Sequence, residues 1–343
     1  IRKDGKPIGA DAGQADTLRA PPAGGAALPS SPKASAKDKA GLPANARPVD
    51  PSDKPHEDGE LLVLPADGHQ IEELRRLNFA IIERMRLGNL GLDVVRLRKP
   101  PDMTLDQAIT LVERRFPGLI FDTNDLMGRS QGRTASSAGA VGSDQQPDFS
   151  RELTGWGAVP DRCGAGMRIG MIDSLVDTRD RIFRGRNIVY RSFVDPERQQ
   201  SDDEHGTSVA SVLIGNPDGS SLPGGLLPGA QIFAAGIFEL RNGKNTGNLA
   251  AFLRAIDWLA AQKVQVVNMS VAGSGNAILT IALNRAVDAG LALVAAAGNN
   301  GEGAPPAWPA AHPKVIAVTA IDINLDVYRY ANTGDYVDFA APG

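Results

Sequence analysis

Four polar residues follow predicted buried strands or begin a predicted helix, and their types could carry out acid–base chemistry. Asp173, Ser270 and Asn299 each come directly after, or shortly after, a continuous apolar run. His205 lies in a charged stretch, and a helix of small residues is predicted to start just behind it. Because the carboxyl ends of parallel strands meet at one edge of a sheet, these side chains are expected to converge there.

An aspartate beside a histidine suits general-base catalysis. The carboxylate fixes the tautomer of the ring and stabilises the imidazolium that forms when the ring accepts a proton. An asparagine amide in a glycine-flanked loop can donate to a developing oxyanion. Each residue also has an ordinary structural interpretation, with Asp173 as a turn or cap residue, His205 as a structural histidine and Asn299 as part of a turn. Their joint order along the chain favours catalysis.

Composition limits the classes of protein to which the chain can belong. It has 343 residues, of which 42% are hydrophobic and 22% are charged, with a net charge of −4. This balance is globular and offers no basic surface for nucleic acid. No apolar run is long enough to predict a membrane span. A single cysteine, Cys163, excludes an internal disulfide framework. The printed sequence starts at Ile1 and shows no signal-peptide pattern.

Composition and periodicity divide the chain into four segments. Residues 1–58 are rich in Ala, Pro, Gly and Ser, with isolated apolar residues, which predicts disorder. Residues 59–127 predict the order β-α-β-β-α-β of a ferredoxin-like α+β domain, and the capping box that begins at Thr104 marks the start of its second helix. Residues 128–149 are predicted to form an exposed linker. Residues 150–343 alternate apolar strands with helices, which predicts a parallel sheet covered by helices on both faces.

Two glycine motifs lack the context that their chemistry requires. The string Gly128-Arg129-Ser130-Gln131-Gly132 matches the G-x-S-x-G nucleophile elbow, but no strand is predicted before it and no helix after it. Gly164-Ala165-Gly166 resembles a dinucleotide-binding loop, yet it precedes its strand instead of following one. A nucleotide-binding α/β protein is therefore the weakest of the functions considered.

The polar motifs taken together resemble those of the subtilisin-like serine peptidases (subtilase family, peptidase family S8). The resemblance covers residues 150–343, whereas residues 60–126 resemble the subtilase propeptide, an intramolecular chaperone and inhibitor, in topology and loose pattern. It implies a subtilisin-like three-layer α/β/α domain with a parallel sheet, preceded by the ferredoxin-like propeptide domain. The matching segments are Ile172-Asp173-Ser174, His205-Gly206-Thr207-Ser208-Val209-Ala210, Val267-Asn268-Met269-Ser270, Ala295-Ala296-Ala297-Gly298-Asn299-Asn300-Gly301, Pro313-Lys314-Val315-Ile316-Ala317-Val318 and Phe339-Ala340-Ala341-Pro342-Gly343.

The resemblance implies a role for each motif residue. Asp173 would orient the base, His205 would be the general base, and the side-chain amide of Asn299 would donate to the oxyanion. Because Ala307 stands where many relatives have Gly, the pocket for the residue before the scissile bond is expected to be shallow and to prefer small or medium apolar residues. The residues implied in substrate binding are Ser270, Val271, Ala272 and Gly273 as an edge that pairs with substrate backbone, and Ala296, Ala297, Gly298 and Ala307 around that pocket.

The sequence departs from the family pattern at two places. Ser208 stands where a second histidine commonly follows the Gly-Thr pair. The Gly-Thr-Ser-x-Ala helix that carries the nucleophilic serine in relatives follows the Ala-Pro-Gly turn, and the printed sequence stops at Gly343. The chain alone is therefore expected to be inactive. A fragment of a longer reading frame is the preferred explanation, with a two-chain processed enzyme and a pseudoenzyme as alternatives.

The implied function is a secreted or periplasmic serine endopeptidase that is made as a zymogen. The propeptide would lay its tail, near residues 121–130, in the cleft until cleavage between Met127 and Arg151. Its partners would be protein or peptide substrates and the propeptide itself. No cofactor is implied, and calcium is considered only as a structural ion. The run Asp202-Asp203-Glu204 could bind substrate cations or form a solvated loop. The alternative function is a catalytically inactive peptide-binding protein of the same fold.

Overall fold

The computed structural model describes residues 54–65, 67–129, 149–157, 159–217 and 224–343, apart from the side chains of Phe149 and Glu152. The predicted disorder up to residue 53 and the predicted linker from 130 to 148 lie outside the described residues.

The first part of the chain forms the predicted β-α-β-β-α-β unit. Its strands lie in the order β2-β3-β1-β4, and each neighbouring pair is antiparallel, as in a ferredoxin-like sheet. Two ends differ from the prediction, since β1 starts within the segment predicted to be disordered and β4 continues into the predicted linker. The elements are β1 (His56–Leu64), α1 (Gly68–Arg76), β2 (Ala80–Leu87), β3 (Leu92–Arg98), α2 (Leu105–Arg115) and β4 (Ile120–Arg129).

The two faces of this first sheet are buried against different partners. Side chains alternate along a strand, so Leu61 and Val63 of β1 pack on the helices of the same unit. Leu62 and Leu64 point the other way and join the core of the rest of the molecule. Helix α2 starts at the predicted capping box, in which Thr104 accepts from the Gln107 amide at 3.2 Å. The apolar alternation of β1 therefore places this sheet between its own helices and the second domain, residues 149–343.

The second part of the chain is built on a parallel sheet of seven strands. Their order is β14-β13-β12-β10-β5-β7-β6, and all neighbours are parallel, which confirms the predicted architecture. The elements are α3 (Phe149–Thr154), β5 (Arg168–Asp173), β6 (Asn187–Ser192), α4 (Glu204–Ile214), β7 (Gln231–Gly236), β8 (Glu239–Arg241), β9 (Lys244–Asn248), α5 (Leu249–Ala261), β10 (Val266–Met269), β11 (Val271–Ala272), α6 (Ala277–Asp288), β12 (Ala292–Ala296), β13 (Ile316–Ile321) and β14 (Phe339–Pro342).

Helices cover both faces of this sheet. On β7, Ile232 and Ala234 belong to the same apolar cluster as Ala210 of α4. Phe233 and Ala235 face the other way and pack in the cluster that contains α5 and α6. Continuous apolar strands of this kind are typical of parallel sheets that are buried on both sides.

Strand β4 joins the two parts. Its first half pairs with β1, and its last residues lie between two short strands of the second domain, β9 and β11, antiparallel to both. Gly128 and Arg129 lie within β4, so the G-x-S-x-G string does follow a strand, contrary to the sequence analysis. Ser130 lies outside the described residues.

Candidate active site

Asp173 and His205 form a hydrogen-bonded pair at the carboxyl edge of the parallel sheet. The distance between His205 Nδ1 and Asp173 Oδ1 is 2.6 Å. Asp173 ends β5 with a side chain that is 0% exposed, while the side chain of His205 is 17% exposed. The backbone N–H of Ser174 donates to the same Asp173 oxygen at 2.7 Å. A buried carboxylate in this position orients the ring and leaves its Nε2 edge for a proton transfer.

Helix α4 holds the histidine rigidly. It starts at Glu204, so His205 lies in its first turn and not in a loop before the helix, as the sequence analysis expected. The backbone N–H of Gly206 donates to Ser174 Oγ at 2.9 Å, and the N–H of Asp177 donates to Thr207 Oγ1 at 3.0 Å. Both hydrogen bonds join the helix to the loop that follows Asp173. The contact between α4 and this loop therefore holds both Asp173 and His205 in position.

Gly206 is required by the close approach of these two segments. A Cβ at this position would overlap the carbonyl oxygen of Leu175 and come within 2.9 Å of the carbonyl oxygen of Ser174. We expect Gly206→Ala to lower the free energy of unfolding by about 2 kcal/mol, because one of the two segments must shift to make room for the Cβ. Urea unfolding tests this. Gly68→Ala is the control, because its Cβ would meet nothing within 4 Å. Equal stability of the two variants would contradict the prediction.

An extended edge lies beside the acid–base pair. Strand β10 neighbours β5, and the backbone N–H of Ser270 donates to the Ile172 carbonyl at 3.1 Å. The two residues of β11 that follow pair with the end of β4. Gly273 exchanges two backbone hydrogen bonds with Trp308, at 2.8 and 3.0 Å. Within the edge formed by residues 270–273, β4 therefore occupies the pairing positions of Val271 and Ala272.

The predicted pocket residues gather where β12 ends. Gly298 has a φ of +111°, and a Cβ there would lie 2.7 Å from Asn332 Nδ2 and 3.1 Å from the Cβ of Ala307. Only glycine suits this position. Ala297 and Ala307 are buried, and Ala296 is half-buried. Asn299 is half-buried and lines a cavity of about 530 Å³ next to these residues.

Asn332 is a supporting residue that the sequence analysis missed. It is fully buried and connects two loops: its Oδ1 accepts from the Asn300 N–H at 2.8 Å, and its backbone N–H donates to the Gly298 carbonyl at 2.9 Å. Tyr336 Oη adds a hydrogen bond to the Ala297 carbonyl at 2.8 Å. An isolated Asn gives no sequence signal for this role, because its partners lie far away in the chain. The loop that carries Asn299 is therefore fixed by residues after β13.

Asp202 lies three residues before His205 and binds the end of β4. Its Oδ1 is 2.9 Å from Nη1 of Arg129, and its Oδ2 accepts from Nδ2 of Asn245 at 2.6 Å. Burial opposes ionisation, but the hydrogen bonds from Asn245 and Arg129 and the charge of Arg129 lower the pKa of the Asp202 carboxyl. The carboxylate is therefore ionised in the neutral range. From the sequence alone, this acidic run could bind a cation or form a solvated loop; in the structure, Asp202 pairs with the guanidinium of Arg129.

Side chains of β4 cap two helices of the second domain. Asp122 accepts from the Ala277 N–H at the start of α6 at 2.9 Å. Asn124 accepts from the Ala250 N–H at the start of α5 at 3.0 Å. The first N–H groups of a helix have no partner inside it, so such caps stabilise both helices. The first sheet thus supplies hydrogen-bond acceptors for the starts of α5 and α6.

Asp125 is a buried carboxyl within the same interface. Its Oδ2 lies 3.6 Å from Lys54 Nζ, and its Oδ1 accepts from Thr123 Oγ1. Burial, only partly offset by the charge of Lys54 and reinforced by Asp122, raises the pKa of Asp125 to about 6. The folded protein therefore binds a proton here at a pH where the unfolded chain does not.

This shift fixes the sign of a pH effect. Because the pKa of Asp125 is higher in the folded than in the unfolded state, its contribution to stability improves as the pH falls through about 6. We expect Asp125→Asn to raise the free energy of unfolding by about 2 kcal/mol at pH 8 and by progressively less towards pH 4. Urea unfolding at both pH values tests this, with the exposed Asp102→Asn as control. A gain that does not change with pH would contradict it.

Two further findings concern ions and membranes. Across the described ranges, no group of three or more His, Cys, Asp or Glu side chains is arranged to hold a metal ion. No helix in the described part of the chain is both long enough and apolar enough to cross a bilayer.

Comparisons with known proteins show which family the chain resembles. The profile of the subtilase family (peptidase S8) matches residues 145–343, more than half of the chain. The chain is 30% identical over 251 residues to the minor extracellular protease Epr of Bacillus subtilis. This match covers 70% of the chain and 37% of Epr. It is 32% identical over 182 residues to thermitase of Thermoactinomyces vulgaris, covering 52% of this chain and 64% of thermitase.

The fold also matches a solved structure. Fervidolysin from Fervidobacterium pennivorans, a keratinolytic enzyme related to subtilisin, superposes with a TM-score of 0.64 and 21% identity. The match covers 85% of this chain and 48% of fervidolysin. The chain therefore spans between about a third and two thirds of the length of these three proteins. Because the family profile matches more than half of its residues, the chain belongs to the subtilase family.

Proposed function

We propose that this chain belongs to a serine endopeptidase that is synthesised as a zymogen. The observation that carries the proposal is the 2.6 Å hydrogen bond between His205 and the buried Asp173, beside an edge strand that can pair with peptide backbone. This arrangement suits a base that deprotonates a hydroxyl next to a bound peptide. The extracellular relative Epr supports the further proposal that the protein is secreted or periplasmic.

In the proposed reaction, Nε2 of His205 takes the proton of a serine hydroxyl as its oxygen attacks the scissile carbonyl. That serine would come from the segment that the family pattern puts after the Ala-Pro-Gly turn. Asp173 stabilises the imidazolium, and the Asn299 amide donates to the oxyanion of the tetrahedral intermediate. His205 then gives the proton to the leaving amine, and water releases the acyl group by the same steps in reverse. The residues of this chain thus provide the base, its orienting acid and one oxyanion donor.

Residues 54–129 are proposed to act as the propeptide, an inhibitor and folding template. Two observations support this: the end of β4 is paired with β11, and Asp122 and Asn124 cap α6 and α5. A strand in this position excludes substrate from the edge until it is cleaved. The proposed processing site lies between Met127 and Arg151. N-terminal sequencing of the mature protein that finds no cleavage in this interval would contradict this part of the proposal.

Labelling of the full-length protein with a fluorophosphonate tests the proposed activity. We expect labelling in the native protein and its loss in His205→Ala, since the serine is then no longer activated. Labelling that is absent in the native protein, while peptides still bind, would favour the alternative of a catalytically inactive peptide-binding protein.

The pocket around Ala307 is proposed to hold the residue before the scissile bond. Ala307 is buried and lies against Gly298, which narrows the space between the two segments. Small and medium apolar residues should therefore be preferred there. A peptide-library profile that favours large aromatic residues at this position would contradict this proposal.

A further inference from the structure

We propose that Asp202 is a specificity-determining residue that selects a basic side chain at the substrate position held in this structure by Arg129. The inference rests on the proposed function and names the class of peptide that the site would cleave. The segment 126–129 of β4 serves as a bound peptide within the same chain.

The backbone of this segment is held as an extended peptide would be. Its register pairs Gly128 with Ala272 of β11 on one side and with Thr246 of β9 on the other. The ladder with β11 continues at Arg129, and the ladder with β9 continues at Met127. A strand inserted between two edges gains main-chain hydrogen bonds that do not depend on sequence, so selection must come from the side chains.

The side chains alternate as they do in any strand. Met127 is 2% exposed and lies against Gly273, Gly128 faces solvent, and the side chain of Arg129 is 10% exposed. A Cβ on Gly128 would meet only the Ala272 carbonyl oxygen, at 3.8 Å. The segment therefore has a buried apolar position, an open position and an enclosed basic position, in that order.

The enclosed basic position is built around one carboxylate. Asp202 Oδ1 lies 2.9 Å from Arg129 Nη1, while Oδ2 is held by Asn245 at 2.6 Å. Asn245 belongs to β9, the strand that also pairs with the backbone of the segment. One strand thus binds the peptide backbone and positions the carboxylate that contacts its side chain. A fixed, ionised carboxylate favours a cation and disfavours a carboxylate at the same place.

The test compares quenched-fluorescent peptides Asn-Asp-Leu-Met-Gly-X-Ser-Gln-Gly, in which X is arginine, citrulline or glutamate. Citrulline has nearly the shape of arginine without its charge. For the mature full-length protein we expect kcat/KM to be about tenfold higher with arginine than with citrulline, and lowest with glutamate. In Asp202→Asn the arginine-to-citrulline ratio should fall to between one and about two. In Asp202→Lys the glutamate peptide should become better than the arginine peptide.

The ratio separates selection from a general loss of activity, since damage to His205 would lower the rates of both peptides equally. Asp161→Asn is the matched control: it removes the same charge at a site that pairs with Arg186, and should keep the native ratio. A ratio near one in the native protein, or an unchanged ratio in Asp202→Asn, would overturn the inference while peptidase activity itself remained established.

A second measurement does not depend on catalysis. In the unprocessed chain, amides of residues 126–129 should exchange with deuterium several-fold faster in Asp202→Asn than in the native protein or in Asp161→Asn. Failure of every peptide to be cleaved would contradict the proposed function. The exchange experiment would then decide on its own whether Asp202 anchors this segment, and unchanged exchange would count against it.

Discussion

In the proposed peptidase, replacing Asp173 with asparagine is expected to lower kcat by about 10⁴-fold, with little change in KM. The buried carboxylate accepts hydrogen bonds from the Nδ1–H of the His205 ring and from the backbone N–H of Ser174. An amide at this place can turn its NH₂ group towards Nδ1 and so favour the wrong tautomer of the ring. It also removes the negative charge that stabilises the imidazolium. Substrate contacts on β11 are unaffected, so the loss should fall on kcat.

Steady-state kinetics with one peptide substrate tests this prediction. Asp161→Asn again provides the control, since it removes one carboxylate that is 90% exposed and pairs with Arg186. The free energy of unfolding of Asp173→Asn should be measured in parallel, so that lost folding is not mistaken for lost chemistry. A fall of less than about tenfold in kcat would mean that Asp173 does not orient the base.

Glu60→Gln is expected to have the largest effect on stability, lowering the free energy of unfolding by about 3 kcal/mol. Glu60 forms a two-point pair with Arg96, with distances of 2.7 and 3.1 Å, and accepts from Asn124 Nδ2 at 2.9 Å. The side chains of Glu60 and Arg96 are only 2% and 5% exposed. Neutralising the acid leaves a buried guanidinium with less compensation and places an NH₂ group against its donors.

The effect should reach the second domain. Arg96 also pairs with Asp195 at 3.2 Å, and Asn124 caps α5. We therefore expect faster deuterium exchange at the start of α5 as well as lower stability in urea. Glu72→Gln, on the exposed side of α1, is the control and should change stability by less than about 0.5 kcal/mol. A Glu60→Gln protein as stable as this control would show that the buried pair contributes nothing net.

A second ion network connects the two domains through the start of β1. The buried Glu57 accepts from Arg198 at 2.9 Å and from Arg241 at 2.7 Å, and both arginines also pair with Glu239. Burial would raise the pKa of Glu57, but the hydrogen bonds and charges of the two arginines outweigh it and lower that pKa. Glu57 lies in the segment predicted to be disordered. The charged, proline-rich composition of that segment gives no sign that Glu57 is ordered, because the arginines that bind it are distant in the sequence.

Much of the fold follows from local patterns in the sequence. The capping box at Thr104 predicts the start of α2. Continuous apolar runs predict the two buried strands that end at Asp173 and just before Ser270. Whether a strand or helix is buried on one face or on two determines the spacing of its own apolar residues, so the local sequence shows it. The motif around His205 indicates the family, and the profile match confirms that resemblance.

Other elements give no such local signal. Strand β6 shows alternating partial exposure at the edge of the sheet, and β9 is the polar run KNTGN, which is extended because β4 pairs with it. Helix α4 starts at Glu204, earlier than predicted, and its N-cap residue Asp203 makes no side-chain cap hydrogen bond. These features depend on what lies opposite in space, and neither composition nor spacing contains that information.

The sequence by itself determined the fold class, the order of elements in the first domain and the residue types of the acid–base pair. Tertiary structure alone decided that β4 continues to Arg129 and lies between β9 and β11. It also decided that Arg129 meets Asp202. The physical reason is that periodicity records which face of an element is buried, whereas two charges that are 73 residues apart in the chain meet only when the segments that carry them are packed together.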